Sequence, residues 1–387
     1  MHIQEIDKTY VANTYDRYEP VFVSGKGSLV YDDTGKEYID LASGIAVNCF
    51  GVADDAWIAA VTAQLGKLQH LCNKYYTAPQ AMLAQKLCER TGMKKVFFAN
   101  SGAEANECLI KVARKYGHDH HGANCSNIIT LTNSFHGRTM ATLTACGQEA
   151  MHKDFGPFVP GFLYAEANDF ASVAALADEN TCGILMEMVQ GEGGVNALDA
   201  EFVHQVAALC KQKDILLLVD EVQTGNGRTG KLYAYMHFGV EPDVVSTAKG
   251  IGGGLPLGVC MMGAKTADTL TAGTHGSTFG GNPVCCAGAL SILDRLDDKL
   301  LADVARKGDF IKETLSACKG VSGVSGMGLM IGVALADKKA SDVAHVCLDA
   351  GVMVMTAKDK LRILPALNIP DELLKKAIDI MKGIIEA

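Results

Sequence analysis

The stretch Asp243-Val-Val-Ser-Thr-Ala-Lys249-Gly-Ile-Gly-Gly-Gly-Leu-Pro256 joins a short apolar run to a lysine and then to a glycine-rich loop. The apolar run is typical of a buried β-strand, and the glycines indicate a loop at its carboxyl end. A lysine placed there is partly desolvated and reachable by a small molecule, as a Schiff-base lysine has to be. A solvated loop lysine explains this segment equally well, so the remainder of the chain has to decide.

Apolar runs of the same kind recur through the middle of the chain, and two helical patterns, Ala103–Tyr116 and Glu201–Lys213, lie between them. Alternating strands and helices predict an α/β fold with a mainly parallel, doubly wound sheet that binds ligands beyond the carboxyl ends of its strands. The seven predicted strands are Val96–Ala99, Ile128–Leu131, Phe162–Tyr164, Ile184–Met188, Ile215–Val219, Val244–Thr247 and Val259–Met262.

The two ends of the chain have a different pattern. Leu29–Ile39 alternates apolar and polar residues around Asp-Thr-Gly, which predicts a hairpin. The last hundred residues mix helical patterns with short strands such as Leu329–Leu335 and Arg362–Leu364. We therefore expect a large domain over residues 51–290 and a smaller α+β domain built from the N-terminal segment 1–50 and the C-terminal part 291–387.

Composition excludes several classes of function. A net charge of −9 with dispersed basic residues argues against a nucleic-acid partner. No run approaches the roughly 18 apolar residues of a membrane span, and the first residues lack the pattern of a secretory signal. The thirteen cysteines are scattered without a C-x-x-C pair, which is typical of reduced thiols. We expect a cytoplasmic protein.

The end of the first predicted strand carries Ser101-Gly102-Ala103, followed by a helical pattern. Backbone N–H groups and the dipole at a helix N-terminus favour an anion, which predicts a phosphate site. The plainer alternative is that Asn100 or Ser101 is simply an N-cap residue.

A buried strand is also predicted to end at Asp220. A buried carboxylate is unfavourable unless a cation or donor meets it. A pyridinium nitrogen meets that need. A metal ion is the alternative, but Glu221 should point to the opposite face, and no histidine cluster completes a set of ligands. We expect His136 and His118–His121 to be solvated or hydrogen-bonded, and we expect no metal site.

Two further strand ends carry polar side chains. Glu187 and Glu192 follow one strand and are compatible with a glycosidase acid–base pair, or with partners for arginines or polar cofactor atoms. Phe135 and Arg138 follow another, where the ring can stack on a flat ligand and the guanidinium can bind a carboxylate. A phosphate cradle, a buried aspartate, a stacking aromatic and a lysine on one sheet are together what pyridoxal phosphate (PLP) requires.

At this point the chain resembles, over nearly its whole length, the class III aminotransferases of PLP fold type I. The order and spacing of six sequence segments together match this family. The segments that carry the resemblance are Asn100-Ser-Gly-Ala-Glu-Ala-Asn-Glu, Phe135-His-Gly-Arg-Thr, Gln190-Gly-Glu-Gly-Gly, Asp220-Glu-Val-Gln-Thr-Gly, Ala248-Lys-Gly-Ile-Gly-Gly-Gly-Leu-Pro and Ser277-Thr-Phe-Gly-Gly-Asn-Pro.

The resemblance implies a role for each site residue and a homodimer with active sites at its interface. Lys249 forms the Schiff base with PLP and moves protons, and Asp220 pairs with the pyridinium nitrogen. The remaining contacts that it implies are Ser101, Gly102 and Ala103 to the phosphate, Thr278 of the neighbouring subunit to the same phosphate, Phe135 and Val222 to the two ring faces, and Gln223 to the phenolic oxygen.

It also implies two substrates in one pocket. Arg138 holds a distal carboxylate, Arg362 holds the α-carboxylate of glutamate, and Glu192 masks Arg362 when the basic substrate is bound. Tyr15 is a further candidate for contacting that substrate. Ser43-Gly-Ile-Ala-Val-Asn and Asn73-Lys-Tyr-Tyr-Thr-Ala-Pro-Gln are most similar to the branch that moves the δ-amino group of N2-acetylornithine to 2-oxoglutarate in arginine biosynthesis.

Alternatives stay open at this point. They are another ω-aminotransferase acting on ornithine, a succinylated substrate or 4-aminobutyrate, an aminomutase, and a non-catalytic cofactor-binding protein. The chain departs from the family pattern at Val52–Ala56, at Met188, where proline is usual, and at Asn226, where an apolar residue is usual. None of these is a predicted cofactor position, so the expected chemistry stands, and Val52–Ala56 and Asn226 bear on fine specificity.

Overall fold

A computed structural model describes residues 3–387. Met1 and His2, which belong to the predicted segment 1–50, lie outside the described residues. The strands are β1 Phe22–Lys26, β2 Leu29–Asp32, β3 Glu37–Asp40, β4 Lys95–Ala99, β5 Asn127–Leu131, β6 Phe162–Ala165, β7 Thr181–Met186, β8 Val189–Gln190, β9 Asn196–Ala197, β10 Leu216–Asp220, β11 Val244–Thr247, β12 Gly258–Met262, β13 Val321–Met327, β14 Met330–Leu335, β15 Val352–Met353, β16 Met355–Ala357 and β17 Lys360–Ile363.

Residues 3–387 also form thirteen α-helices. They are α1 Ile3–Tyr10, α2 Ser43–Ala46, α3 Asp55–Leu65, α4 Ala78–Thr91, α5 Gly102–His121, α6 Met140–Ala145, α7 Glu149–His152, α8 Phe170–Leu176, α9 Ala200–Lys213, α10 Pro283–Arg295, α11 Asp298–Ser316, α12 Ala340–Asp349 and α13 Asp371–Glu386, with 3₁₀ turns at Ala234–His237 and Lys249–Ile251. No helix among residues 3–387 is long and apolar enough to cross a bilayer.

The central sheet has seven strands in the order β4-β12-β11-β10-β7-β5-β6. Each of them is one of the strands predicted from the apolar runs, with ends shifted by up to three residues. Strands β11, β10, β7, β5 and β6 pair in parallel, whereas β12 pairs antiparallel with both neighbours. The prediction of a mainly parallel seven-stranded sheet is confirmed.

Strand β10 shows why the sheet is covered on both faces. Its alternate residues Leu216 and Leu218 join one core cluster, in which α5 contributes Leu109 and Val112. The residues between them, Leu217 and Val219, join the other cluster together with Phe202 and Val206 of α9. Because neighbouring side chains of a strand point to opposite faces, α5 and α9 lie on opposite sides of the sheet.

Two four-stranded sheets lie outside the central one, in the orders β1-β2-β3-β15 and β13-β14-β17-β16, and β8 pairs with β9 in a two-stranded sheet. In the first, the C-terminal strand β15 pairs in parallel with β3, so the two ends of the chain share a sheet. The hairpin predicted over Leu29–Ile39 is formed by β2 and β3. The predicted boundary near residue 290 falls within α10, and the division into domains stays a prediction.

Candidate active site

A cavity of about 440 Å³ opens where β4, β10 and β11 end. This is the edge at which doubly wound sheets bind ligands. The structure brings nine of the predicted site residues together in its lining, namely Ser101, Gly102, Ala103, Phe135, Arg138, Asp220, Val222, Gln223 and Lys249.

Lys249 follows β11 after one residue and is half-buried. Its backbone has a φ of +48°, in the left-handed region that side chains other than glycine rarely adopt. Burial lowers the pKa of the Lys249 amine, while the charges of Glu192 and Asp220 act in the opposite direction. A lowered pKa increases the neutral, nucleophilic fraction of the amine.

Helix α5 begins at Gly102 on the cavity wall. Ser101 is its N-cap, and the Ser101 hydroxyl oxygen accepts a hydrogen bond of 3.1 Å from the Glu104 amide. A Cβ on Gly102 would lie 2.6 Å from Cγ1 of Val222, so a larger residue does not fit there. The N-cap interpretation is therefore correct, and the same turn also directs a helix N-terminus into the cavity.

Asp220 is the last residue of β10 and is 3% exposed. Its Oδ2 accepts hydrogen bonds from Nδ1 of His136 at 2.8 Å and from Nδ2 of Asn106 at 2.7 Å. Its Oδ1 accepts one of 2.9 Å from the Val222 amide. These donors hold the carboxylate at the cavity wall.

The hydrogen bonds around Asp220 continue to a second layer of residues, through Asn106, His136 and Ser246. The Asn106 amide also donates to the His136 carbonyl at 2.8 Å and accepts from the Ser246 hydroxyl at 2.6 Å. Sequence reasoning missed Asn106 and gave His136 a structural role. A polar amide three residues before Leu109, on the apolar face of the predicted helix, was the available signal.

Glu187 and Glu192 have different surroundings. Glu187 is 5% exposed and accepts hydrogen bonds from the amides of Phe135 at 2.9 Å and Gly191 at 3.1 Å. Burial raises the pKa of Glu187 to about 7, although His136 lowers it and Asp220 raises it further. Glu187 thus fixes two loops at the cavity, which argues against the glycosidase alternative.

Glu192 forms an ion pair with Arg362 of β17, with 2.5 Å between Oε1 and Nη1. Arg362 is 2% exposed, and its Nη1 also donates to Oε1 of Gln223 at 3.3 Å. Burial on its own raises the pKa of Glu192, but the charge and hydrogen bond of Arg362 outweigh it, so that the pKa lies below its ordinary value. Glu192 therefore stays ionised and covers the arginine at neutral pH.

Arg138 and Phe135 both line the cavity, and the Arg138 guanidinium lies 5.4 Å from the centroid of the Phe135 ring. Arg138 is exposed, whereas Phe135 is half-buried. A cation at the open end of the cavity is placed to meet a carboxylate on a long substrate.

Thr278 and Tyr15 lie outside the residues that line this cavity in the described chain. Thr278 is exposed on the segment between β12 and α10. Its neighbour Ser277 accepts a hydrogen bond of 3.2 Å from Nδ2 of Asn100, which does line the cavity. Tyr15 is 70% exposed and lines a separate groove formed by the N-terminal segment.

The departures from the family pattern take ordinary structural roles in two cases. Asp54, in the Val52–Ala56 turn, caps α3 through the Trp57 amide and pairs with Arg295 at 2.8 Å. Met188 is fully buried in the main core cluster.

The chain belongs to the class III aminotransferases, since the family model described as "Aminotransferase class-III" matches residues 10–385. The acetylornithine aminotransferase of Haemophilus ducreyi is 48% identical over 385 residues, which cover 99% of this chain and 98% of that protein. The succinylornithine transaminase of Salmonella typhimurium LT2 is 44% identical over 366 residues, covering 92% and 90%. The solved ornithine aminotransferase of Toxoplasma gondii ME49 superposes with a TM-score of 0.95 at 31% identity, covering 99% of this chain and 94% of that one.

PLP is the cofactor of this family, and a further structure of the Toxoplasma enzyme is described with partial occupancy of PLP at its active site. The cavity described above fits PLP: a helix N-terminus suits the phosphate, a buried carboxylate suits the ring nitrogen and an amine suits the aldehyde. The chain is a PLP-dependent aminotransferase.

Proposed function

We propose that this enzyme transfers the δ-amino group of N2-acetylornithine to 2-oxoglutarate, giving N-acetylglutamate 5-semialdehyde and glutamate in arginine biosynthesis. The observation that carries the proposal is the Glu192–Arg362 ion pair within the site of Lys249. The δ-amine of the donor is far from its carboxylate, whereas the α-amine of glutamate is next to one. Arg362 can therefore bind the glutamate carboxylate when it is free, and Glu192 can neutralise it when the diamino donor is bound. The 48% identity to an acetylornithine aminotransferase supports the same substrate.

When bound, PLP supplies an electron sink for the carbon that carries the substrate's amino group. Ser101, Gly102 and Ala103 would hold its phosphate, and Asp220 would hold its ring nitrogen. Phe135 and Val222 would enclose the ring, with Gln223 at its phenolic oxygen. The contacts that support these assignments are the lining of one cavity and the hydrogen bonds that fix Asp220.

Lys249 acts as the base and then as the acid. With PLP bound, the Lys249 Nζ would take a proton from the substrate carbon and then return a proton, so that one amine would serve as base and acid. The lowered pKa of Lys249 favours the neutral amine that this step needs. Glu192 and Asp220 are the nearby charges that stabilise the ammonium form once the proton is taken.

Two arginines bind the substrates in this proposal. Arg138, at the open end, holds the carboxylate of the acylated ornithine. Arg362 holds the α-carboxylate of glutamate or 2-oxoglutarate after Glu192 turns away. Tyr15 remains a proposed further contact, which would require the N-terminal segment to approach the cavity.

We also propose a cytoplasmic homodimer in which Thr278 completes the partner's phosphate site. Exposed apolar side chains support an interface here, because Tyr76 and Phe279 are 103% and 59% exposed. Their segments are joined by the Asn73 side chain, which donates to the Ser277 and Gly280 carbonyls. Thirteen free cysteines within the described chain are typical of a reducing compartment. If the protein is a monomer in analytical ultracentrifugation and still binds PLP with full affinity, the proposed dimer is contradicted.

Succinylornithine is the second candidate donor, because relatives of that name are 44% identical to this chain. The test measures kcat/KM for acetylornithine, succinylornithine, ornithine and 4-aminobutyrate with 2-oxoglutarate, for the wild type and Glu192→Ala. We expect acetylornithine to be preferred, and Glu192→Ala to improve glutamate relative to acetylornithine by about tenfold, since Arg362 is uncovered. Preference for another donor would refute the substrate, and turnover without 2-oxoglutarate would indicate an aminomutase.

A further inference from the structure

Asn226 joins the end of β11 to the Lys249 turn. It lies in the loop after β10, is 1% exposed and has a φ of +59°. Its side-chain nitrogen Nδ2 donates to Oγ1 of Thr247 at 2.9 Å and to the carbonyl oxygen of Ala248 at 3.2 Å. One amide thus contacts the two residues that precede Lys249.

The chemistry of these partners fixes the orientation of the amide. The Ala248 carbonyl can only accept, so the Asn226 nitrogen has to face it; the reverse orientation would set two oxygens against each other. The Oδ1 atom then points into protein and has no hydrogen-bond partner among residues 3–387. Burying an amide oxygen without a hydrogen-bond partner costs free energy. The two hydrogen bonds that Nδ2 donates offset this cost, which explains why a polar residue is stable at this buried position.

The turn that Asn226 contacts is strained, and its backbone bonds include one of 3.3 Å from the Gly253 amide to the Lys249 carbonyl. Lys249 has a φ of +48°. The Ala248 carbonyl also accepts from the Ile251 amide at 3.2 Å, and the Lys249 carbonyl accepts from the Gly252 amide at 3.0 Å. A Cβ on Gly250 would lie 3.3 Å from Cβ of Asn226, so the turn packs against this residue as well.

We propose that Asn226 is a positioning residue for Lys249. Its hydrogen bond to the Ala248 carbonyl holds Lys249 in the left-handed conformation that directs the amine into the cavity. The proposal rests on the proposed role of Lys249. An apolar residue of similar size at position 226 would fill the same space but could not donate to the Ala248 carbonyl.

Three variants separate the hydrogen bonds from backbone strain. Asn226→Leu fills the space without a donor, Asn226→Asp keeps the shape but sets an acceptor against the Ala248 carbonyl, and Asn226→Gly has no side chain and tolerates the positive φ. Asn168→Gly is the matched control, because Asn168 has a φ of +62° on an exposed loop.

Hydrogen exchange of the apoprotein and of the holoenzyme is measured at the amides of Ile251 to Gly253, together with the pH midpoint of the visible absorbance of PLP bound to Lys249. We expect exchange about five- to tenfold faster and kcat lower by a similar factor in all three Asn226 variants, because each loses the hydrogen bond to the Ala248 carbonyl that holds the turn. KM should stay within about twofold. The absorbance midpoint shifts in the Asn226 variants and stays in Asn168→Gly.

Unchanged exchange and an unchanged midpoint in Asn226→Leu would overturn the proposal, even if the variant melts at a lower temperature, because a purely structural residue gives that result. If the wild type fails to transfer amino groups to 2-oxoglutarate, the proposed function fails. Exchange in the apoprotein still decides whether Asn226 holds the turn.

Discussion

At the scale of single residues, the two buried carboxylates that line the cavity, Glu187 and Asp220, differ in the donors that hold them. Glu187 accepts from two loop amides, whereas Asp220 receives its donors from three elements and faces the cavity. The sequence predicted the position of Asp220, because an aspartate that ends an apolar run needs a partner. It did not reveal His136 or Asn106 as those partners, since they are 84 and 114 residues away and only folding brings them together.

Asp220→Asn tests this difference. The amide keeps the shape but removes the negative charge that would keep the ring nitrogen protonated. We expect kcat of the glutamate half-reaction to fall by about 10²- to 10³-fold. Single-turnover absorbance measures it, with Asp199→Asn on the exposed start of α9 as control. A loss of less than about threefold would show that the carboxylate has no electronic role.

At the scale of elements, the seven strands of the central sheet could be read from the sequence because buried parallel strands are continuous apolar runs. Their ends could not, since Ile184–Met188 was predicted and β7 ends at Met186, with Met188 buried beyond the strand. The antiparallel direction of β12 depends on the path of the glycine-rich loop before it, which has no periodicity. The contact between the α5 N-terminus and Val222 was likewise hidden, because it joins two strand ends.

That contact predicts the effect of Gly102→Ala. The new Cβ would lie 2.6 Å from the Val222 side chain and would push the helix N-terminus away from the wall that encloses the ring. We expect the affinity for PLP to fall about tenfold or more. Adding Val222→Ala should restore part of it, and Gly383→Ala, which meets nothing within 4 Å in α13, should leave it unchanged. Equal affinities of Gly102→Ala and the wild type in equilibrium titration would contradict this prediction.

At the scale of the whole molecule, a buried glutamate behind the site links stability to pH. Glu221 is fully buried, and burial raises its pKa from 4.5 to about 7, although hydrogen bonds from Thr224 and the Tyr235 amide oppose this. The folded protein therefore keeps a proton that the unfolded chain releases. Its contribution is fully present below pH 4.5 and is lost as the pH rises through about 7.

Glu221→Gln removes this dependence, because glutamine is neutral and can still accept from the Tyr235 amide. We expect the urea midpoint of the wild type to fall as the pH rises from about 5 to about 7.5, and Glu221 to account for at most about 3 kcal/mol of the lost free energy of unfolding. The urea midpoint of the variant should fall less. The exposed Glu201→Gln serves as control. Parallel curves for Glu221→Gln and the wild type would refute the assignment.

The central claim is that Lys249, at the end of β11, carries the cofactor. Borohydride reduction of the holoenzyme, followed by digestion and mass spectrometry, measures this directly. The account predicts a pyridoxyl group on the peptide that contains Lys249, and no such adduct in Lys249→Ala treated in the same way. A pyridoxyl group on another lysine in the wild type, or its persistence in the variant, would contradict it.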